Sequence, residues 1–251
     1  MTMTICPYDA VAEEYAREVA PRYAPIADLV VSRALRGPRP TSVVELAAGT
    51  GNLTGRLAPL LSPCRYVALD VSGAMLDVAA RQVDPAVELL EADLRSVPLP
   101  DTVADLVVGC LCPVQDSDVG LAEVVRLLPP GGRLVVAMWG PDYAELRLLD
   151  AARSRVRLDP YRPRDLEATA QRVQRAGLVD VVQTEHRMTI THRSVPDYLR
   201  YRAAFGRTPG LTSEQLSRYD AAVAAEAWRR TGADGAVVLD WSVVILEATR
   251  P

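Results

Sequence analysis

The sequence predicts an α/β fold, a doubly wound and mostly parallel sheet of seven strands, on three observations. From Thr41 onward short β-branched runs alternate with longer helical patterns, the order expected when helices cover both faces of a sheet. Two of those runs, LVV in the fourth strand and LVVAM in the fifth, are continuously apolar, as strands buried on both faces must be. With 251 residues, 49% of them apolar and 24% charged, the chain can bury a core without disulfides or a structural metal.

The elements follow in order, read as a single domain over residues 1–251. Residues 1–40 form an amino-terminal helical cap, patterned as helix from Pro7 to Leu35 and closed by the turn-forming Gly37, Pro38, Arg39 and Pro40. The core, residues 41–193, carries strands at Ser42 to Ala47, Arg65 to Asp70, Val87 to Glu91, Ala104 to Gly109, Arg133 to Trp139 and Val179 to His192. Helices are expected near Asn52 to Leu61, Gly73 to Arg81, Val119 to Leu127 and Pro163 to Ala176, the last stopped by Gly177. A helical insert, residues 194–235, is broken by Pro196, Pro209 and Gly210 and can pack over the top of the sheet. The last strand, Ala236 to Thr249, closes the chain within residues 236–251.

Composition excludes several function classes. Net charge is −4 and aromatics make up 5%, so neither a phosphate backbone nor stacked bases find a partner, and nucleic acid is not expected. No apolar run approaches the roughly 20 residues that span a bilayer, and Met1 to Cys6 lacks the features of an export signal. A cytoplasmic protein without a membrane partner is expected. Cys6, Cys64, Cys110 and Cys112 form no CxxC, and with two histidines in the chain no metal site is expected. Every basic residue is Arg, which reads as the codon signature of a G+C-rich bacterium.

The chemistry is written in the turn after the first strand. Glu45-Leu46-Ala47-Ala48-Gly49-Thr50-Gly51-Asn52 runs from strand into helix, and Gly49 and Gly51 allow the tight turn and a close backbone approach to a ligand. Asp70 ends the second strand, where a carboxylate can accept both hydroxyls of a ribose, a placement that suits NAD equally well. Against a dinucleotide, Thr54 stands where that fingerprint wants a third small residue. Glu45 beside the turn would repel a pyrophosphate and attract a sulfonium or ammonium. Asp93, just after the third strand, adds a third acid at the same sheet edge and can accept from an adenine amine.

Across ELAAGTGNLT, ALDVSGAMLDVA, EADLRSVPLP and EVVRLLPPGGRLVV the sequence resembles the class I S-adenosylmethionine-dependent methyltransferases, in particular the ubiquinone and menaquinone biosynthesis branch. The resemblance covers about Tyr8 to Trp139 and implies a Rossmann-like seven-stranded sheet with the last strand antiparallel. It implies S-adenosyl-L-methionine as cofactor and S-adenosyl-L-homocysteine as product. Glu45, Ala47, Gly49 and Gly51 would face the methionine half, Asp70 with Val71 the ribose, Met75 the adenine face, and Asp93 with Leu94 its polar edge. Tyr8 and Tyr15 match the family's helix that folds over the cofactor, and Cys110 joins the set from the fourth strand. Ala47 departs from the usual first glycine, and the loop after strand four lacks the aromatic or His residues often found there.

A small-molecule acceptor should lie beyond the carboxyl ends of the strands, near Trp139 and Tyr143. His186 and His192 share one face of the sixth strand and are the candidate bases, His192 nearer the carboxyl end. Cys110 and Cys112 read as buried small residues rather than nucleophiles, and the eight arginines between Arg147 and Arg175 as a solvated face. The expected activity is O- or N-methylation in specialised, natural-product or quinone-like metabolism, with a homodimer as the expected assembly. A cyclisation or decarboxylation on the same scaffold, a noncatalytic binding module and an NAD-linked oxidoreductase stay open on sequence alone.

Overall fold

The computed structural model describes Cys6, residues 8–205 and residues 211–251. The expected helix start at Pro7 and the break at Pro209 and Gly210 lie outside these residues. The sheet comprises β1 (Ser42–Leu46), β2 (Arg65–Asp70), β3 (Glu88–Glu91), β4 (Leu106–Cys110), β5 (Arg133–Trp139), β6 (Val179–His192) and β7 (Val237–Thr249), in the order β3-β2-β1-β4-β5-β7-β6. From β3 to β5 all pairs are parallel, and β7 enters antiparallel between β5 and β6. This is the doubly wound, Rossmann-like sheet expected. Its strand order reverses between β1 and β4, and the connections leaving their carboxyl ends part there to open a crevice.

The helices are α1 (Ala12–Glu18), α2 (Ala20–Ala34), α3 (Thr54–Leu61), α4 (Gly73–Ala79), α5 (Asp118–Leu127), α6 (Ala144–Arg155), α7 (Leu166–Arg175), α8 (Val195–Ala203) and α9 (Ser213–Trp228). Several start where a side chain can take an orphan amide. Ser72, Ser117, Asp165, Ser194 and Thr212 each accept a backbone N–H of the first turn. Asp165 therefore moves the start of α7 past the expected Pro163, and Gly177, at φ +103°, ends it as expected.

Successive residues of each strand bury opposite faces, so two apolar layers flank the sheet. Val43, Tyr66 and Val108 enter one, against α2, α3, α6, α8 and α9; Val44, Leu69 and Val107 enter the other, against α5 and α7. Helix α6 is an element the sequence reading omitted, and it carries the insert, because α9 packs along it and α8 packs on α9. The cap and the insert meet directly: Arg22 on α2 donates from one guanidinium nitrogen to both oxygens of Asp197 on α8, at 3.0 Å each.

Register fixes a further feature that strand boundaries do not reveal. Trp139, the last residue of β5, lies opposite Val243, and so does His186 of β6. From there β6 and β7 continue as a two-stranded ribbon, Arg187 opposite Ser242 through to His192 opposite Val237, well past the rim of the sheet.

Candidate active site

The turn from β1 into α3 holds three residues at positive φ, Ala47 at +53°, Gly49 at +55° and Gly51 at +84°. A side chain at Gly51 would meet Val83 Cγ1 at 2.9 Å, so packing as well as backbone demands glycine there. In front of Gly49 there is nothing within 4 Å, and its conformation alone selects glycine. Ala47 accepts a left-handed conformation that costs about 1 kcal/mol for a residue with a Cβ. The Gly49 amide donates to Asp70 Oδ2 at 2.8 Å, tying the turn to the end of β2, and Ser72 N donates to Asp70 Oδ1 at 2.9 Å.

Two clefts open on this turn and both are bordered by Ala47. The inner one is walled by Tyr15, Tyr23, Glu45, Gly49 and Cys110. The outer one is walled by Asp70, Val71, Asp93, Leu94 and Arg95.

The two acids flanking the turn differ in environment. Glu45 is buried, and its Oε2 accepts from Tyr66 at 2.7 Å and Thr54 at 2.8 Å; burial outweighs these bonds and raises its pKa to about 7. Asp70 is pushed up by burial and held back by its backbone donors, Ser72 first and then Gly49. A carboxylate offers about four lone-pair sites, so Asp70 keeps acceptor capacity toward the outer cleft. Asp93 is claimed by a residue the sequence reading passed over. Arg95 chelates both of its oxygens, at 2.6 to 3.0 Å, and holds the carboxyl below its usual range.

The remaining predicted residues fall into distinct places. Tyr15 closes the inner cleft; Tyr8 packs edge-on against it at 6.2 Å and is 40% exposed. Next to Tyr8, Asp9 accepts from Ser72 Oγ at 2.6 Å, which docks the start of the cap beside Asp70. Met75 is buried among Ala12 and Val78 in the contact of α1 with α4. Cys110 and Cys112 are thiols whose pKa burial pushes up, for Cys112 to about 12, so neither offers a thiolate. Trp139 stacks on Tyr143 with centroids 5.1 Å apart and meets Tyr23 edge-on at 5.7 Å, one aromatic ring behind the inner cleft.

Both histidines stand apart from the turn. His192, expected near the acceptor, is fully buried in the overshooting ribbon, its ring 5.0 Å from those of Tyr198 and Tyr201. Burial and the Arg22 charge lower its pKa to about 4, and it borders neither cleft. His186 faces the end of α2, where burial and then Arg33 and Arg36 lower its pKa. A base role at the crevice for either residue does not fit these positions.

Residues 43–132 match the profile of a methyltransferase domain family. The malonyl-[acyl-carrier protein] O-methyltransferase of Halorhodospira halophila is 31% identical over 94% of this chain and 83% of its own length. The trans-aconitate 2-methyltransferase of Methylobacterium nodulans is 32% identical over 95% of this chain and 97% of its own. The chain belongs to the class I S-adenosylmethionine-dependent methyltransferases. A narrower match joins it to the ubiquinone/menaquinone biosynthesis C-methyltransferase of Hahella chejuensis, 37% identical over 38% of this chain and 41% of that one. Among solved structures, phosphoethanolamine N-methyltransferase 2 of Haemonchus contortus in complex with S-adenosyl-L-methionine aligns over 90% of this chain and 52% of its own, with TM-score 0.59 and 19% identity, a likeness of fold.

The methyltransferase cofactor suits the cleft on chemical grounds. Open space faces the Gly49 backbone, Glu45 offers an inner carboxylate to a cation, and Asp70 offers lone pairs to hydroxyls in the outer lobe. The sequence reading missed Tyr23, Arg95 and the aromatic wall of Trp241, Tyr201 and Phe205 around Tyr23. Tyr23 carried a signal, since it follows Tyr15 by eight residues, close to two helical turns.

Proposed function

We propose that this methyltransferase transfers the methyl group to an oxygen of a small molecule in specialised or quinone-like metabolism, the acceptor being an acid or an acidic hydroxyl. One observation carries the reading: among the described residues that wall the inner cleft, none is free to take a proton from the acceptor. Tyr15, Tyr23 and Cys110 are all held protonated by burial, and Glu45, whose Oε2 accepts from Tyr66 and Thr54, serves the cation of the cofactor with its remaining oxygen. An acceptor already anionic at neutral pH needs only alignment, whereas an ordinary alcohol needs a proton removed.

When bound, the cofactor supplies a methyl carbon activated by a sulfonium. Glu45, Gly49 and Ala47 would hold its methionine half, Asp70 and Val71 the ribose, and Leu94 with Asp93, fixed by Arg95, the base. Met75 supports that end from behind. Tyr15 and Tyr23 wall the inner cleft with aromatic rings, which would favour a cation and exclude water from it. The cap and the insert serve as lid, with Trp139 and Tyr143 on the acceptor side. Two relatives that span most of the chain are named for a malonyl group and for trans-aconitate, both carboxylate compounds, which supports an oxygen acceptor. The acidic balance of the chain, net −4, supports a small molecule over nucleic acid as partner.

The test is incubation with methyl-labelled cofactor and a panel of small carboxylic acids, phenols and amines, reading product mass and S-adenosylhomocysteine. Methyl esters or aryl ethers are expected, formed one for one with S-adenosylhomocysteine. Turnover of amines alone would reverse the acceptor assignment, and a product lacking the label would point to other chemistry on the same scaffold.

A further inference from the structure

Behind the aromatic wall, α6, α8, α9 and β7 enclose a charge that the methyl-transfer reading does not use. Glu145 is 3% exposed and accepts from Trp241 Nε1 at 3.0 Å, Tyr201 at 3.4 Å, Tyr198 at 3.5 Å and Arg202 at 3.4 Å. One carboxylate therefore faces four donors, three of them at distances long for a hydrogen bond. Arg202 is the least served of the four. Its guanidinium carries five N–H groups, and among the described residues it makes that single long bond.

The surroundings of Arg202 are rich in donors and short of acceptors. Tyr143, Tyr198, Tyr201 and Tyr219 are all kept as neutral phenols by burial. The Tyr219 hydroxyl is buried and has no partner in hydrogen-bond geometry among the described residues, although Tyr161 lies beside it. Asp220 is the other acid that feels Arg202, and it is exposed. The side chain of Arg202 is 24% exposed against 4% for Glu145, so the cation is the reachable member of the pair. Its position is also connected to the cleft: Arg202 lies over Phe205 at 5.2 Å, and Phe205 meets Tyr15, which closes the inner cleft, at 5.9 Å.

We propose that Arg202, oriented by Glu145 and flanked by the Tyr143 and Tyr219 hydroxyls, binds a carboxylate of the methyl acceptor remote from the oxygen that is methylated. The inference rests on the oxygen-acceptor reading and narrows its substrate class to molecules carrying two acidic groups, one gripped and one reacting. A guanidinium takes a carboxylate in a two-point fork, which fixes the orientation of the acceptor as well as its affinity. Glu145 acts as a positioning residue, since it reaches the acceptor only through Arg202.

The test measures binding, apart from turnover. Protein saturated with S-adenosylhomocysteine is titrated calorimetrically with trans-aconitate and with its neutral triamide. Wild type is expected to bind the acid and not the amide, Arg202→Gln to lose about 100-fold in affinity, and Arg202→Lys to retain an intermediate affinity. Cofactor-product affinity and thermal midpoint, read on the same samples, are expected to hold in Arg202→Lys. Equal binding of the acid by wild type and by a folded Arg202→Gln or Arg202→Lys overturns the assignment, as does failure of the wild type to bind the acid. If methyl transfer goes to amines while the acid still binds through Arg202, the grip stands and the acceptor atom is what changes.

Discussion

At the scale of single residues, two buried ionisable groups act in opposite directions over one pH window. The folded pKa of Glu45 is raised from 4.5 to about 7, so its ionised form is disfavoured by folding and the apoprotein gains stability as pH falls from about 7 toward 4.5. That of His192 is depressed from 6.5 to about 4, so its contribution is complete above 6.5 and is lost as pH falls through about 4. Each is worth about 3 kcal/mol at 1.36 kcal/mol per pKa unit, and the two slopes nearly cancel. Urea melts between pH 4.5 and 7.5 should show a nearly flat contribution from the pair in wild type. Glu45→Gln should weaken on acidification, and His192→Phe should strengthen. Turnover of His192→Phe should stay within about twofold of wild type, because neither ring nitrogen of His192 makes a hydrogen bond among the described residues and neither cleft includes it. A cationic cofactor favours ionised Glu45, so its affinity should fall up to about tenfold per unit below pH 7 in calorimetry, and Glu45→Gln should remove that dependence.

At the scale of elements, the contact of α2 with α8 joins two segments far apart in sequence over one cleft. Asp197, 8% exposed, accepts from Arg22, from Arg200 at 3.0 Å and from the Arg193 amide at 3.0 Å. Removing the acid leaves Arg22 to Glu18 on its own side and the Arg193 amide without its acceptor, which costs about 1–3 kcal/mol. Asp197→Ala should open the insert ahead of global unfolding: hydrogen exchange of α8 and α9 should speed up while that of β1 and β4 holds. Exchange rising evenly across both groups would show that α8 is no separate lid. Element boundaries were legible where the chain signals them locally, as at Gly177 after α7. Helix α6 was not, because it exposes arginines and buries an acid, Glu145, that reads in sequence as a surface residue. The position of His192 was not either: its face on β6 follows from alternation, but the ribbon's overshoot depends on pairing with the distant β7, where His192 lies opposite Val237.

At the scale of the whole molecule, the two clefts borrow from the amino-terminal cap and from the carboxyl ends of the parallel strands. A ligand that fills them joins β1, β2, β4 and the cap, and so stabilises only the folded state. S-adenosylhomocysteine at 100 times its dissociation constant should add about 2.7 kcal/mol and raise the thermal midpoint by a few degrees. NAD at equal concentration should not, since Glu45 opposes a pyrophosphate. Asp70→Ala should lower the affinity for S-adenosylhomocysteine about 100-fold and remove the shift, through loss of the ribose contact and of the Gly49 anchor.

The sequence by itself determined the parallel sheet, the glycine turn and the acids at its rim, because each follows from short-range rules: strand alternation, positive φ at a tight turn, and a carboxylate at the end of a strand. Only the tertiary structure decided that both histidines stand away from the clefts, and that Glu145 and Arg202 meet behind the aromatic wall. Those outcomes depend on burial and on register between distant segments, and a side chain's charge and hydrogen bonding are set by what surrounds it once the chain has closed.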